Sequence, residues 1–97
     1  VSDKVHRYLL AYDVESDARR NRVAKTLESY GDRLQYSVFI VDAKPAKLIR
    51  LKAAVTDKLD LAVDALLICD LGPLSRGDGI EFIGVTRSFT GHGPLVI

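Results

Sequence analysis

The chain holds a single cysteine, Cys69, and has neither a Cys-x-x-Cys pair nor a clustered Cys and His set. An internal disulfide is therefore excluded, and so is a cysteine-built zinc site. Apolar runs last only a few positions, far short of the roughly 20 residues that span a bilayer. An excess of charge of one sign is lacking too. Fourteen Lys and Arg stand against 13 Asp and Glu, a net charge of +1. That balance excludes a uniformly basic nucleic-acid wrapper and leaves room for a local basic patch. No repeat, low-complexity tract, linker or glycine-rich ligand loop interrupts the chain. The only histidines, His6 and His92, fall near the ends and support no Ser-His-Asp or Cys-His arrangement. Val1-Ser2-Asp3-Lys4-Val5-His6 lacks the pattern of a secretory leader. With one unpaired cysteine, the expected compartment is the cytoplasm.

What remains is a pattern of short apolar elements. At 97 residues the chain is expected to form one domain, 1–97, with a core over about 7–85 and a loose tail over 86–97. Residues 7–14 read as a strand. Tyr8, Leu10, Tyr12 and Val14 point one way, and Leu9, Ala11 and Asp13 the other. Both faces are apolar until Asp13, which predicts a central strand. Ser16 or Asp17 caps a helix running to Tyr30, with Val23, Ala24, Leu27 and Tyr30 as its apolar stripe and Gly31 as its stop. Residues 33–42 alternate again, as one strand or as two short ones bent near Tyr36-Ser37; the pattern leaves both open. Pro45 suits the first turn of a second helix, whose buried side is Leu48, Leu51, Val55 and Leu59. Residues 65–71 form a further apolar strand, Ser75–Gly79 a turn, and Ile80–Val85 a short last strand.

The order β-α-β(β)-α-β predicts an α+β fold, ferredoxin-like βαββαβ with an extra C-terminal strand. Two helices cover one sheet face only, yet the strands are apolar on both. A homodimer packed sheet to sheet is the simplest cover for the second face. The 80–85 strand is a candidate to add to a neighbour's sheet edge.

Asp13 is the first candidate for chemistry. A lone carboxylate at a strand mouth, with a basic helix start behind it, suits a divalent cation or a phosphate. The bland alternative is a carboxylate that caps the following loop or pairs with an Arg. Arg19, Arg20, Arg22 and Lys25 crowd the helix start. Arg19, Arg22 and Lys25 point away from the apolar stripe, towards phosphate or plain solvent. Arg20 falls within the stripe and should reach over the sheet end towards Asp13. There it would position a phosphate, helped by the helix N-terminus, or form a structural ion pair with Asp13 or Asp70. Ser37 and Tyr36 sit at the bend that the two-strand alternative for residues 33–42 requires. A hydroxyl there touches phosphate or satisfies local backbone. Phe39 is expected in the core or an interface.

Tyr8-Leu9-Leu10-Ala11-Tyr12-Asp13-Val14, Arg19-Arg20-Asn21-Arg22-Val23, Tyr30-Gly31, Leu34-Gln35-Tyr36-Ser37-Val38-Phe39 and Asp64–Pro73 together resemble the CRISPR-associated protein 2 family. Each run is weak alone; their order and spacing over about residues 7–85 make the likeness specific. The resemblance implies a ferredoxin-like homodimer, described as a magnesium-dependent endonuclease on RNA or DNA, with manganese a possible substitute. It also implies a place beside the CRISPR-associated integrase in the complex that inserts new spacers. The family's metal-binding aspartate maps onto Asp13, and Asp13 of both protomers would share the metal. Arg19, Arg20, Arg22 and Ser37 become the expected nucleic-acid contacts. Many members carry an Arg and a Tyr where this chain has Leu67 and Cys69, so contacts credited to that Arg do not carry over. The alternatives are a non-catalytic dimeric adaptor on duplex DNA and a toxin-like ribonuclease similar to virulence-associated protein D. A small-ligand regulatory domain lacks its ligand loop.

Overall fold

Six elements follow in order: β1 (His6–Asp13), α1 (Asp17–Glu28), β2 (Asp32–Gln35), β3 (Val38–Ala43), α2 (Pro45–Thr56) and β4 (Ala65–Pro73). They belong to a computed structural model that describes residues 4–74 and 79–84. The sheet order is β2-β3-β1-β4, and every neighbouring pair is antiparallel. This is the ferredoxin-like arrangement that the element order predicts. β1 is central, as its two apolar faces require.

Tyr8, Leu10 and Tyr12 turn to one face and pack with Val23, Ala24 and Leu27 of α1, Leu51 and Val55 of α2, and Phe39 and Val41 of β3. Phe39, Leu10, Leu27 and Leu51 are fully enclosed there. Enclosure of that kind stabilises the fold by about 1.5–3 kcal/mol per side chain relative to leaving it exposed. Phe39 is thus a core residue of this face.

The Ser16 hydroxyl caps α1 by accepting from the Arg19 backbone N–H at 3.2 Å. The helix ends at Glu28, two residues before Tyr30, and Tyr30 and Gly31 both donate their N–H to the Leu27 carbonyl at 2.9 Å. Gly31 is required for a different reason than a left-handed stop. A Cβ there would collide with the Ile40 carbonyl oxygen and lie 2.8 Å from Val41 Cγ2. Among the described residues, positive φ occurs only at Gly72 and Gly84.

Residues 33–42 form two strands, not one. Gln35 pairs with Val38, leaving Tyr36-Ser37 as a two-residue turn, and a bulge falls between Arg33 and Gln35. β4 runs two residues past Leu71 to Pro73.

The extra strand expected over 80–85 is corrected. Residues 79–84 run as irregular chain, and Ile80 and Phe82 instead pack on the second sheet face against Leu9, Leu34, Val38, Ile40 and Leu71. Alternate apolar residues suggest a strand; here they are satisfied by burial on a sheet face. Val85, the tail over 86–97 with His92, and most of the 75–79 turn lie outside the described residues. The second face also carries the cross-strand pair Arg7 and Asp42, joined by two hydrogen bonds of 2.8 and 3.0 Å. Leu67 extends it at β4 and is 57% exposed.

Candidate functional site

Antiparallel register decides what meets at the end of β1. Ala11 pairs with Val38, so Tyr12 and Asp13 lie beside the Tyr36-Ser37 turn, and Asp13 pairs with Ala65 at the start of β4. Tyr12 ties the turn down from two atoms. Its N–H donates to the Ser37 carbonyl at 3.1 Å and its hydroxyl to the Tyr36 carbonyl at 3.3 Å. The N-terminus of α1 faces the same end. Asp13 is exposed there, with no hydrogen bond or ion pair to a described residue. It therefore neither caps the following loop nor pairs with an Arg within the described residues.

Arg20 reaches the sheet end, as its place in the apolar stripe predicts, but its ion partner is neither Asp13 nor Asp70. Its Nε and Nη2 donate to the Val14 carbonyl at 3.2 and 2.9 Å, and Nη2 also to the Glu15 carbonyl at 3.3 Å. Nη1 pairs with Asp17, one helical turn earlier. Those contacts, with the Tyr36 phenol nearby, hold the guanidinium firmly in its charged form. Arg20 grips the residues directly after Asp13.

Arg19 corrects the picture of a solvated helix face. Its Nε and Nη2 donate to both oxygens of Asp64 at 2.7 and 3.1 Å. The Asp64 side chain is fully buried. It also accepts from the backbone N–H of Glu15 at 3.1 Å and of Asp60 at 2.9 Å. Hydrogen bonds to Arg19 and to those two N–H groups hold its carboxyl well below the usual carboxylate range, against the opposing effect of burial. The Val14–Ser16 loop is thus fastened from both sides: Arg20 takes its carbonyls and Asp64 takes an N–H. The sequence reading missed Asp64. Its signal was one acid standing immediately before the apolar run 65–68, where a strand start would otherwise be apolar.

Arg22 and Lys25 are exposed on α1, with no ion pair to a described residue. Ser37 is half buried and its carbonyl serves Tyr12; its hydroxyl bonds no described residue. His6 is not an idle end residue. It lies in β1, stacks on Tyr8, and its Nδ1 is 2.9 Å from Asp70. Among the described residues no three His, Cys, Asp or Glu gather as a metal cluster. Among the described residues one chain therefore falls short of a metal site by itself at this end.

Fold and site define a ferredoxin-like domain that presents a bare carboxylate beside cationic side chains at one sheet end. A family model described as CRISPR associated protein Cas2 matches residues 6–77. A CRISPR-associated endoribonuclease Cas2 3 of Rhodospirillum rubrum is 37% identical over 94 residues, covering 92% of this chain and 98% of that one. The structure of a hypothetical protein from Thermus thermophilus superposes with a TM-score of 0.74 at 36% identity, covering 87% of this chain and 96% of the other. A chain of a partial Cas6-RT-Cas1–Cas2 complex gives a TM-score of 0.61 at 28% identity, over 68% of this chain and 78% of that one. The chain belongs to the Cas2 family of CRISPR-associated proteins. Among the described residues, no helix is long and apolar enough to cross a membrane.

Proposed function

We propose that the protein acts in CRISPR spacer acquisition as a homodimer and is a metal-dependent endonuclease through Asp13 of both protomers. The observation that carries the catalytic part is the exposed Asp13 carboxylate, free of described partners, at the end of β1 directly before a loop fastened by Arg20 and Asp64. The donor chemistry fits magnesium or manganese. Magnesium takes one or two carboxylates and keeps several waters, and a twofold axis doubles the one carboxylate per chain. When bound, the ion would polarise a scissile phosphate and lower the pKa of a bound water. The chain's own part is to hold Asp13 still, through Arg20 on the Val14 and Glu15 carbonyls and Asp64 on the Glu15 N–H. Ser37 and Tyr36 border the approach, and Arg22 supplies positive charge along α1. Arg19 is engaged with Asp64 and is left out of the phosphate contacts.

The test is cleavage of end-labelled RNA and duplex DNA with magnesium, with manganese and with chelator. Wild type should cut in the presence of metal, and Asp13→Ala should not. Activity that survives both the substitution and the chelator would overturn the metal role.

Likeness to a chain of an assembly named for Cas1 and Cas2 favours a second role, bridging an integrase partner and the DNA backbone. In that role Asp13→Ala still supports spacer integration with the integrase. Loss of integration by a variant that folds and dimerises would remove this reading.

A further inference from the structure

Halfway along the sheet, away from the Asp13 end, α1 and edge strand β2 enclose an open groove of about 540 Å³. Its lining is Asn21, Arg22, Ala24, Lys25, Glu28 and Arg33. Three of these six are cations and one is an acid, in a chain whose net charge is only +1. None of the three cations makes an ion pair with a described residue. Arg33 is held by the fold. It pairs across strands with Phe39 and its guanidinium carbon lies 5.1 Å from the centre of that enclosed ring. Its Nε is buried and has no acceptor among the described residues. Arg33 is half-buried and lines the groove, so the exposed part of its side chain carries an uncompensated positive charge there.

We propose that this groove is a seat for one backbone phosphate of a bound nucleic acid, with Arg33 as its floor and Arg22 and Lys25 at its rim. The reading rests on nucleic-acid binding by the protein and adds a contact apart from Asp13. A planar guanidinium already oriented by an aromatic face loses little freedom on meeting a phosphate oxygen. From Arg20 to Lys25 the helix rises only about 7.5 Å, so a strand passing the Asp13 end along α1 runs over the groove.

The experiment uses the full chain in its native oligomeric state and a fluorescein-labelled 30-base-pair DNA duplex, with affinity read by anisotropy between 50 and 200 mM KCl. Arg33→Gln should lower the steepness of log K against log[KCl] by about 0.9 for each groove engaged. Arg22→Gln with Lys25→Gln should lower it as well, and this surface variant decides the matter if Arg33→Gln fails to fold. Lys52→Gln, on the exposed side of α2, should leave the slope unchanged. Wild-type slopes in the groove variants would overturn the seat while leaving the Asp13 reading intact. A wild type that binds with no salt dependence would instead remove phosphate-backbone recognition altogether. Groove variants that keep the DNA slope but lose an integrase partner would replace the phosphate with a protein contact.

Discussion

Arg19 and Arg20 are adjacent in sequence and do different work. A helix turns about 100° per residue, so one guanidinium swings to the start of β4 and the other over the end of β1. Arg20 anchors carbonyls; Arg19 neutralises a buried acid. The carboxylate they frame, Asp13, makes no described contact, so Asp13→Ala should abolish metal-dependent cleavage while changing stability by no more than about 0.5 kcal/mol, measured by urea unfolding. Asp64 should behave in the opposite way. Its folded-state pKa is depressed, so its contribution to stability is present above the unfolded value of about 4 and is lost as pH falls through the folded value. Asp64→Asn should therefore melt well below wild type at neutral pH, and the gap should begin to narrow once the buffer falls below about pH 4. A gap independent of pH would show that the acid's charge is not what braces the loop.

At the scale of elements, turns and close approaches decide the local outcome. Alternation of Leu34, Val38 and Ile40 suits one long strand as well as a hairpin. The choice falls to Tyr12, whose N–H and hydroxyl hold the two turn carbonyls. Those bonds form only once β1 is in place, which is why the segment alone leaves one strand and two equally open. Gly31 was legible as a helix stop, but its stronger constraint is the backbone of β3 pressed against it. Gly31→Ala should cost about 1–3 kcal/mol by denaturant unfolding, since β3 cannot retreat without disturbing the core. An alanine variant as stable as wild type would mean that the α1–β2 connection is looser than its packing suggests. The strand expected at 80–85 failed for a related reason: period-two alternation reports which side chains are buried, and Ile80 and Phe82 meet that need by lying on the sheet face, with no ladder pairing.

For the whole molecule, the decisive feature is the sheet face opposite the helices. Ile80 and Phe82 cover only part of it, and Leu67 stays more than half exposed. Sheet-to-sheet association would enclose that face and supply the second Asp13. Leu67→Glu should convert the wild-type dimer into a folded monomer in sedimentation velocity. It should also lose metal-dependent cleavage, because the second Asp13 departs with the partner protomer. A variant that remains dimeric would place the interface elsewhere.

Order and period of the apolar residues determined the strand-forming segments, the two helices and their ferredoxin-like sequence, because burial periodicity is a local property of the chain. The same local pattern singled out Asp13, the point where an apolar strand meets solvent. Pairing of side chains distant in sequence was decided only in three dimensions. Arg19 with Asp64, Arg20 with the Val14 and Glu15 carbonyls, and Arg33 stacked over Phe39 each depend on register and crossover geometry. A charged side chain carries no periodic signal that announces its partner. The sequence could therefore show that cations crowd one helix, while tertiary structure alone assigned two of them to bracing the Asp13 loop and left Arg22 and Lys25 facing the groove floored by Arg33.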